Sequence, residues 1–229
     1  YASDLDNNVY LLEDLGDTTL FQYIKNHRQD KDYINKLFNV YKKVINELPK
    51  FQVHAASRID FEKSYPRSAF DRQSMIWDMS YFKYYFLKLA QIPFDEQLLE
   101  DDFNELADFL LTEKSDFFLY RDFQSRNVML KDDKVYFIDY QGGRKGALQY
   151  DIASLLFDSK ADLSNEMKME LLNYYIYRLK ADTDLEINEE EFKRYFFGYV
   201  LIRIMQAMGA YGYRGFYEKK LHFLQSIPY

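Results

Sequence analysis

The sequence predicts a mainly α fold of the α+β class, with long amphipathic helices packed around one small β-hairpin. Three observations carry that expectation. Apolar residues recur at helical intervals over most of the chain, and the period changes to that of short strands near residues 127–140. No repeat, low-complexity tract or Pro/Gly/Ser linker divides the 229 residues. With 48% hydrophobic and 19% aromatic residues, the chain can bury one substantial core.

The elements follow in order. Residues 9–15 read as a buried strand, with at most one strand in the first twelve residues, then a turn at Gly16 and a helix starting near Asp17 or Thr18, either of which can cap free amides. Tyr33, Ile34, Leu37, Phe38, Tyr41, Val44, Ile45 and Leu48 lie at helical spacing until Pro49 ends the pattern. A second long helix is expected over residues 68–92, ended by Pro93, and a third over 94–114. Two β-prone runs flank residues 131–134, as in a hairpin with a polar turn. Helices are then expected over 152–158, 164–180 and 188–208. In the last of these, Asn188 and Glu191 form a capping pair and Gly209 is the stop; a final segment covers residues 211–225.

Composition excludes several function classes. The net charge of -7 argues against nucleic acid as partner, because that affinity comes from clustered Lys and Arg. The 22 Tyr and 20 Phe are interspersed with acids at helical spacing, which places most of them in or near the core. Zero cysteines remove disulfides, thiolate zinc sites and Cys nucleophiles, and fit a reducing cytoplasm. The amino end lacks the pattern of a signal peptide, and the most apolar run, residues 195–213, is interrupted by Arg203, so no membrane partner is expected. His27, His54 and His222 are scattered without zinc spacing, and no Gly-x-Ser-x-Gly elbow occurs.

The segment FLYRDFQSRNVML, residues 118–130, carries the chemistry. Phosphoryl transfer needs a positioned hydroxyl and neutralisation of phosphate charge. A carboxylate reaching the hydroxyl, with an amide oxygen and a second carboxylate for magnesium, would supply both. Asp122, Asn127 and Asp139 offer that set, since the hairpin's second strand returns Asp139 beside the loop holding the other two. Each also has a structural reading: Asp122 as a turn cap, Asn127 as a partner for loop backbone, Asp139 as the start of the Gly142-Gly143 turn. The joint order and spacing favour chemistry. Asp71 and Asp78 share one face of the second long helix; Asp78 is a candidate substrate residue, and Asp71 alternatively caps the helix or pairs with Arg72.

With YRDFQSRN, FIDYQGG and GALQYDIASLLFDSKADL, the chain resembles the large C-terminal lobe of the aminoglycoside phosphotransferase and choline kinase superfamily, whose catalytic loop is protein-kinase-like. Within it, the Arg-Asp pair, the Asp-Tyr-Gln after the second strand and the run at residues 150–158 are similar to bacterial kinases of the anomeric hydroxyl of N-acetylmuramate and N-acetylglucosamine. The resemblance implies ATP and Mg2+ as cofactors, a small-molecule acceptor such as a cell-wall amino sugar, and a cytoplasmic enzyme. Asp122 would deprotonate the hydroxyl, and Asn127 and Asp139 would ligate magnesium on the nucleotide. Asp151 would brace the loop, and the backbone of Glu13, Asp14 and Leu15 would meet adenine at a hinge.

There are departures from the pattern. Tyr120 replaces the superfamily His, and Gln124 stands where protein kinases carry Lys. Arg126 and Arg144 are therefore candidate phosphate donors, with Arg121 supporting the loop. No Gly-rich loop with a following Lys-bearing strand is found. The expectation is a single domain of which residues 1–16 are the end of a small lobe and its hinge and 17–229 the helical lobe, with the small lobe absent and the fragment alone inactive. Rival readings are an aminoglycoside or choline-type kinase, whose acceptor pocket alone would differ, and a non-catalytic pseudokinase scaffold.

Overall fold

The computed structural model describes residues 2–4 and 6–227. At the amino end, β1 (Ala2–Asp4) and β2 (Val9–Leu11) form an exposed antiparallel hairpin. Two strands thus stand where at most one was expected, and the buried run is a solvent-facing ribbon. Helix α1 (Leu20–His27) starts later than its sequence suggests: Thr19, rather than Asp17 or Thr18, is the cap, in a reciprocal box with Gln22. Helix α2 (Tyr33–Pro49) buries Leu37, Tyr41, Val44, Ile45 and Leu48 along one stripe. Pro49 ends the α-helix without ending the rod. Its missing N–H breaks the regular ladder, and residues Lys50–Ala55 continue as a wider π-helical turn.

Helix α3 (Arg72–Phe82) is capped by Asp71, which accepts from the Ser74 amide and also pairs with Arg67. It runs into a second π turn, Lys83–Leu87, before Pro93 is reached. Helix α4 (Glu96–Leu111) follows, capped by Asp95. The strands β3 (Phe117–Leu119), β4 (Val128–Lys131), β5 (Lys134–Phe137) and β6 (Arg144–Gly146) form two antiparallel pairs. The β4–β5 hairpin turns at Asp132 and Asp133, as expected, in left-handed conformations. The β3–β6 pair was not expected; it sets Leu119 opposite Arg144 and brackets the whole catalytic segment.

Helices α5 (Gln149–Leu156), α6 (Asn165–Asp182) and α7 (Glu189–Gly212) complete the fold. Every residue of α5 is buried, because α6 and α7 both pack against it. Helix α7 opens on Asn188, which accepts from the Glu190 and Glu191 amides, and on three glutamates that suit the positive end of the helix dipole. Gly209 does not stop it. A Cβ at Gly209 would meet the Tyr81 and Phe82 backbone at about 3 Å, and one at Gly212 would overlap the Tyr85 carbonyl oxygen. These glycines let α7 lie against the end of α3, and a π turn, Tyr213–Tyr217, carries the chain onward. Among the described residues no helix is long and apolar enough to cross a membrane.

Candidate active site

The loop between β3 and β4 is held at both ends by one buried helix. Asp151, in the first turn of α5, accepts from the backbone amides of Tyr120 (2.8 Å) and Arg121 (3.1 Å). Asp158, just beyond α5, accepts from the amide of Ser125 at 3.0 Å and from its hydroxyl. Burial pushes the Asp151 carboxyl up to about 7, against the opposing pull of those two amides and of Gln52. Gln52, wholly buried in the π turn after Pro49, donates to Asp151 Oδ2 and to the Leu148 carbonyl, both at 3.2 Å, and accepts from the Tyr175 hydroxyl. These bonds hold Arg121 in a left-handed conformation with φ +84° and turn the chain sharply into Asp122.

Asp122 is half-buried, and among the described residues its carboxylate has no hydrogen-bond partner. It caps nothing. Asn127 donates through Nδ2 to the Asp122 carbonyl at 2.9 Å, and the same nitrogen lies 3.4 Å from Asp139 Oδ2. The Ile138 amide donates back to the Asn127 carbonyl at 3.1 Å, which closes the loop against the end of β5. Asp139 is exposed and left-handed, with φ +69°, and accepts from Gln141 Nε2 at 2.7 Å. The following turn closes from Tyr140 to Gly143, not from Asp139. Tyr120 packs among Phe51, Phe118 and Phe123 and donates its hydroxyl to the Ile138 carbonyl.

Could this set hold magnesium? Among the described residues no group of three or more His, Asp or Glu is placed to hold a metal ion. Asn127 and Asp139 nevertheless put an amide and a carboxylate side by side. That donor set suits a hard ion that keeps waters and takes phosphate oxygens as its other ligands.

A cleft of about 1120 Å³ opens between the amino-terminal segment and the β4–β5 hairpin, lined by Leu12, Glu13, Leu15, Met129, Ile138 and Asp139 among others. Lys131 ties its two walls together, donating to the Glu13 carboxylate (3.0 Å) and the Asp14 carbonyl (2.7 Å). Asp14 turns its own carboxylate onto the Gly16 amide at 2.8 Å and does not line the cleft. Gly16, with φ +72°, makes the bend that brings this segment over the hairpin.

The remaining charged residues divide. Arg126 is exposed and lies over the Phe21 ring, 5.0 Å from its centroid. Both Asp78 oxygens accept from Arg121, each at 2.7 Å, so Asp78 is engaged by the loop arginine. Arg121 also donates to the Tyr150 hydroxyl, where Arg203 approaches at 3.4 Å. Arg144 is buried and donates through Nε to the Gly142 carbonyl at 3.0 Å. Gln52, Tyr150 and Arg203 were not singled out by spacing. The one available signal was their polarity inside apolar runs, such as Arg203 within VLIRIM.

Known proteins resemble the chain in sequence and in fold. The chain is 26% identical over 99% of its length to N-acetylmuramate/N-acetylglucosamine kinase of Neisseria meningitidis serogroup B, and spans 66% of that protein. An ethanolamine kinase of Plasmodium vivax shares its fold with a TM-score of 0.55 at 15% identity, over 89% of this chain and 58% of that one. An ADP-bound aminoglycoside phosphotransferase, APH(2'')-Ib, does so with a TM-score of 0.52 at 16% identity, over 96% of this chain and 68% of that one. The chain therefore spans less than two thirds of the length of the curated relative. The model of the phosphotransferase enzyme family matches residues 2–185, well over half of the sequence, and with its mainly helical fold the chain belongs to that family.

Proposed function

We propose that this chain forms the helical lobe of an ATP-dependent kinase that phosphorylates a hydroxyl of a small sugar, with an N-acetylated amino sugar as acceptor. The observation that carries the reading is the unpartnered Asp122 carboxylate beside the Asn127–Asp139 pair, of which Asp139 lines the cleft. In this reading residues 1–16 end a small lobe and form its hinge, residues 17–229 form the helical lobe, and the backbone of Glu13 to Leu15 faces the adenine.

The residues divide the work as follows. Asp122 accepts a hydrogen bond from the acceptor hydroxyl and takes its proton as the oxygen bonds to the γ-phosphorus of ATP and the bond from that phosphorus to the ADP oxygen breaks. Asn127 and Asp139 would hold magnesium, which supplies charge neutralisation on the nucleotide phosphates when bound. Asp151, Gln52 and Tyr120 fix the loop so that the hydroxyl is presented in line, and Arg121, tied to Asp78, keeps the carboxylate side of the loop from swinging. Of the two candidate phosphate donors, Arg126 is exposed, whereas Arg144 is buried and donates to the Gly142 carbonyl.

The test uses the full-length parent. Asp122→Asn should lower kcat by about two to four orders of magnitude with the fold intact. ADP release at the unaltered rate would end the assignment. The isolated chain should release no ADP above background with either N-acetylated sugar; turnover at the parent's rate would show that no further lobe is needed.

A further inference from the structure

The cleft is lined by Asp139 and the hairpin but by none of Asp78, Arg121, Arg144 or Arg203. Arg144 sits instead on β6, and its strongest electrostatic neighbours are Arg121, Tyr150, Asp78 and Asp122. Arg203, on α7, has Tyr150, Arg121 and Asp122 as its own. Three guanidinium groups therefore neighbour Tyr150, and none of them lines the cleft.

Among the described residues, one of the three has a carboxylate pair. Asp78 is consumed by Arg121 in a two-bond pair. Arg67 and Asp71, at the start of α3, pair with one another. Among the described residues Arg144 has no carboxylate partner. It is 8% exposed, and beyond its Nε bond to the Gly142 carbonyl it makes no hydrogen bond. Arg203 has no carboxylate partner either: it donates to Gln206 and Tyr150, and its solvent-shielded Nε is unsatisfied. Asp122 and the buried Asp151, which feels Arg203, are the carboxylates left to face these two guanidinium groups, and neither is hydrogen-bonded to them. Burial and the neighbouring Arg121 already lower the Arg144 pKa, as expected for a cation lacking its counterion. Buried charges are ordinarily paired, and a shielded donor such as the Arg203 Nε is costly when left unmade.

We infer that Arg144, supported by Arg203, is a specificity-determining residue that binds a carboxylate on the acceptor, so that the acceptor side of the site selects an anionic sugar over a neutral or cationic one. This rests on the reading of Asp122 as the catalytic carboxylate. The bidentate geometry of a guanidinium suits a carboxylate, and an unpaired guanidinium repels a quaternary ammonium or a polyamine.

The experiment is isothermal titration calorimetry on the full-length protein with N-acetylmuramate, N-acetylglucosamine and choline, for the wild type, Arg144→Gln and Arg144→Lys. N-acetylmuramate differs from N-acetylglucosamine by a carboxylate-bearing ether. The wild type should bind the acid at least about tenfold more tightly than the neutral sugar and should not bind choline. Arg144→Gln should bring the two sugars within about twofold, and Arg144→Lys should keep part of the preference. Raising the salt concentration should weaken the acid and leave the neutral sugar, a readout that needs no variant to fold. Equal affinities in the wild type, an unchanged ratio in folded Arg144→Gln, a preference for choline, or no binding of the acid would each overturn the inference. Absence of ADP release with both sugars, while the binding ratio holds, would sink the sugar-kinase reading and leave the anion site standing.

Discussion

Replacing Tyr120 by Phe removes a single hydroxyl from the junction between the loop and the hairpin. The ring is 3% exposed and sits 5.3 Å from Phe123, 6.0 Å from Phe51 and 6.4 Å from Phe118, centroid to centroid, and Phe keeps all of these contacts. What is lost is the bond to the Ile138 carbonyl, one residue before Asp139. Burial and the nearby Asp151 and Asp139 push the phenol pKa well up, so the hydroxyl is a neutral donor at any working pH. Ile138 is 37% exposed, and water can replace part of the bond. The cost should be about 1 kcal/mol, a fall in Tm of roughly 2–4 °C. Expressed at the Asp139 end of the site, the same energy gives about a fivefold rise in KM for magnesium-ATP. Tyr120→Ala empties the ring space as well and should cost about 3–5 kcal/mol. Thermal unfolding followed by circular dichroism, with ADP release as the kinetic assay on the full-length parent, separates the two effects. A Phe variant as unstable as the Ala variant, or one with unaltered KM for the nucleotide, would refute a role for this hydroxyl in placing Asp139.

Asp151 carries a pH signature. Its carboxyl titrates near 7 in the fold but at 3.8 when unfolded, so the folded chain holds the extra proton between those values. The resulting stabilisation is full below 3.8 and lost as pH rises through about 7, with a slope of at most about 1.4 kcal/mol per pH unit. Denaturant unfolding from pH 5 to 8 should show a steeper decline in the wild type than in Asp151→Asn; parallel profiles would remove Asp151 as the cause. Asp139→Asn tolerates the left-handed backbone but removes the charge, and should raise the magnesium concentration needed for half-maximal ADP release about tenfold or more; an unchanged magnesium requirement would detach Asp139 from the metal. Gly212→Ala drives a Cβ into the Tyr85 carbonyl and should cost about 1–3 kcal/mol by denaturant titration. Gly16→Ala has open space but a left-handed φ, and should cost about 1 kcal/mol; a Gly212 variant no worse than this would contradict the close approach of α7.

The parts legible in the sequence are those in which neighbours in space are neighbours in the chain. Asp122, Asn127 and Asp139 span one hairpin, and a period-2 pattern suffices to bring them together. The long helices show for the same reason, since their apolar stripes are local. Gln52 is different: its partners Leu148 and Asp151 lie on the far side of the sequence, and nothing near FQVHA announces them. The β3–β6 pair was hidden because three-residue strands, one of them Arg-Lys-Gly, carry too little pattern. Gly209 misled in an instructive way. A glycine near the end of an apolar helix is the usual stop signal, whereas here its missing Cβ admits a neighbouring backbone.

The attachment of the loop to α5 has a consequence for how the molecule breathes. The Tyr120 and Arg121 amides are donated to a carboxylate in a helix with no exposed residue, so no local fraying can release them. Their deuterium exchange should follow the slowest amides of the molecule. Those of β1 and β2, exposed on every residue, should exchange with local opening alone. Two amides in an irregular loop would then report global unfolding, while the hairpin bordering the cleft opens many times for each such event.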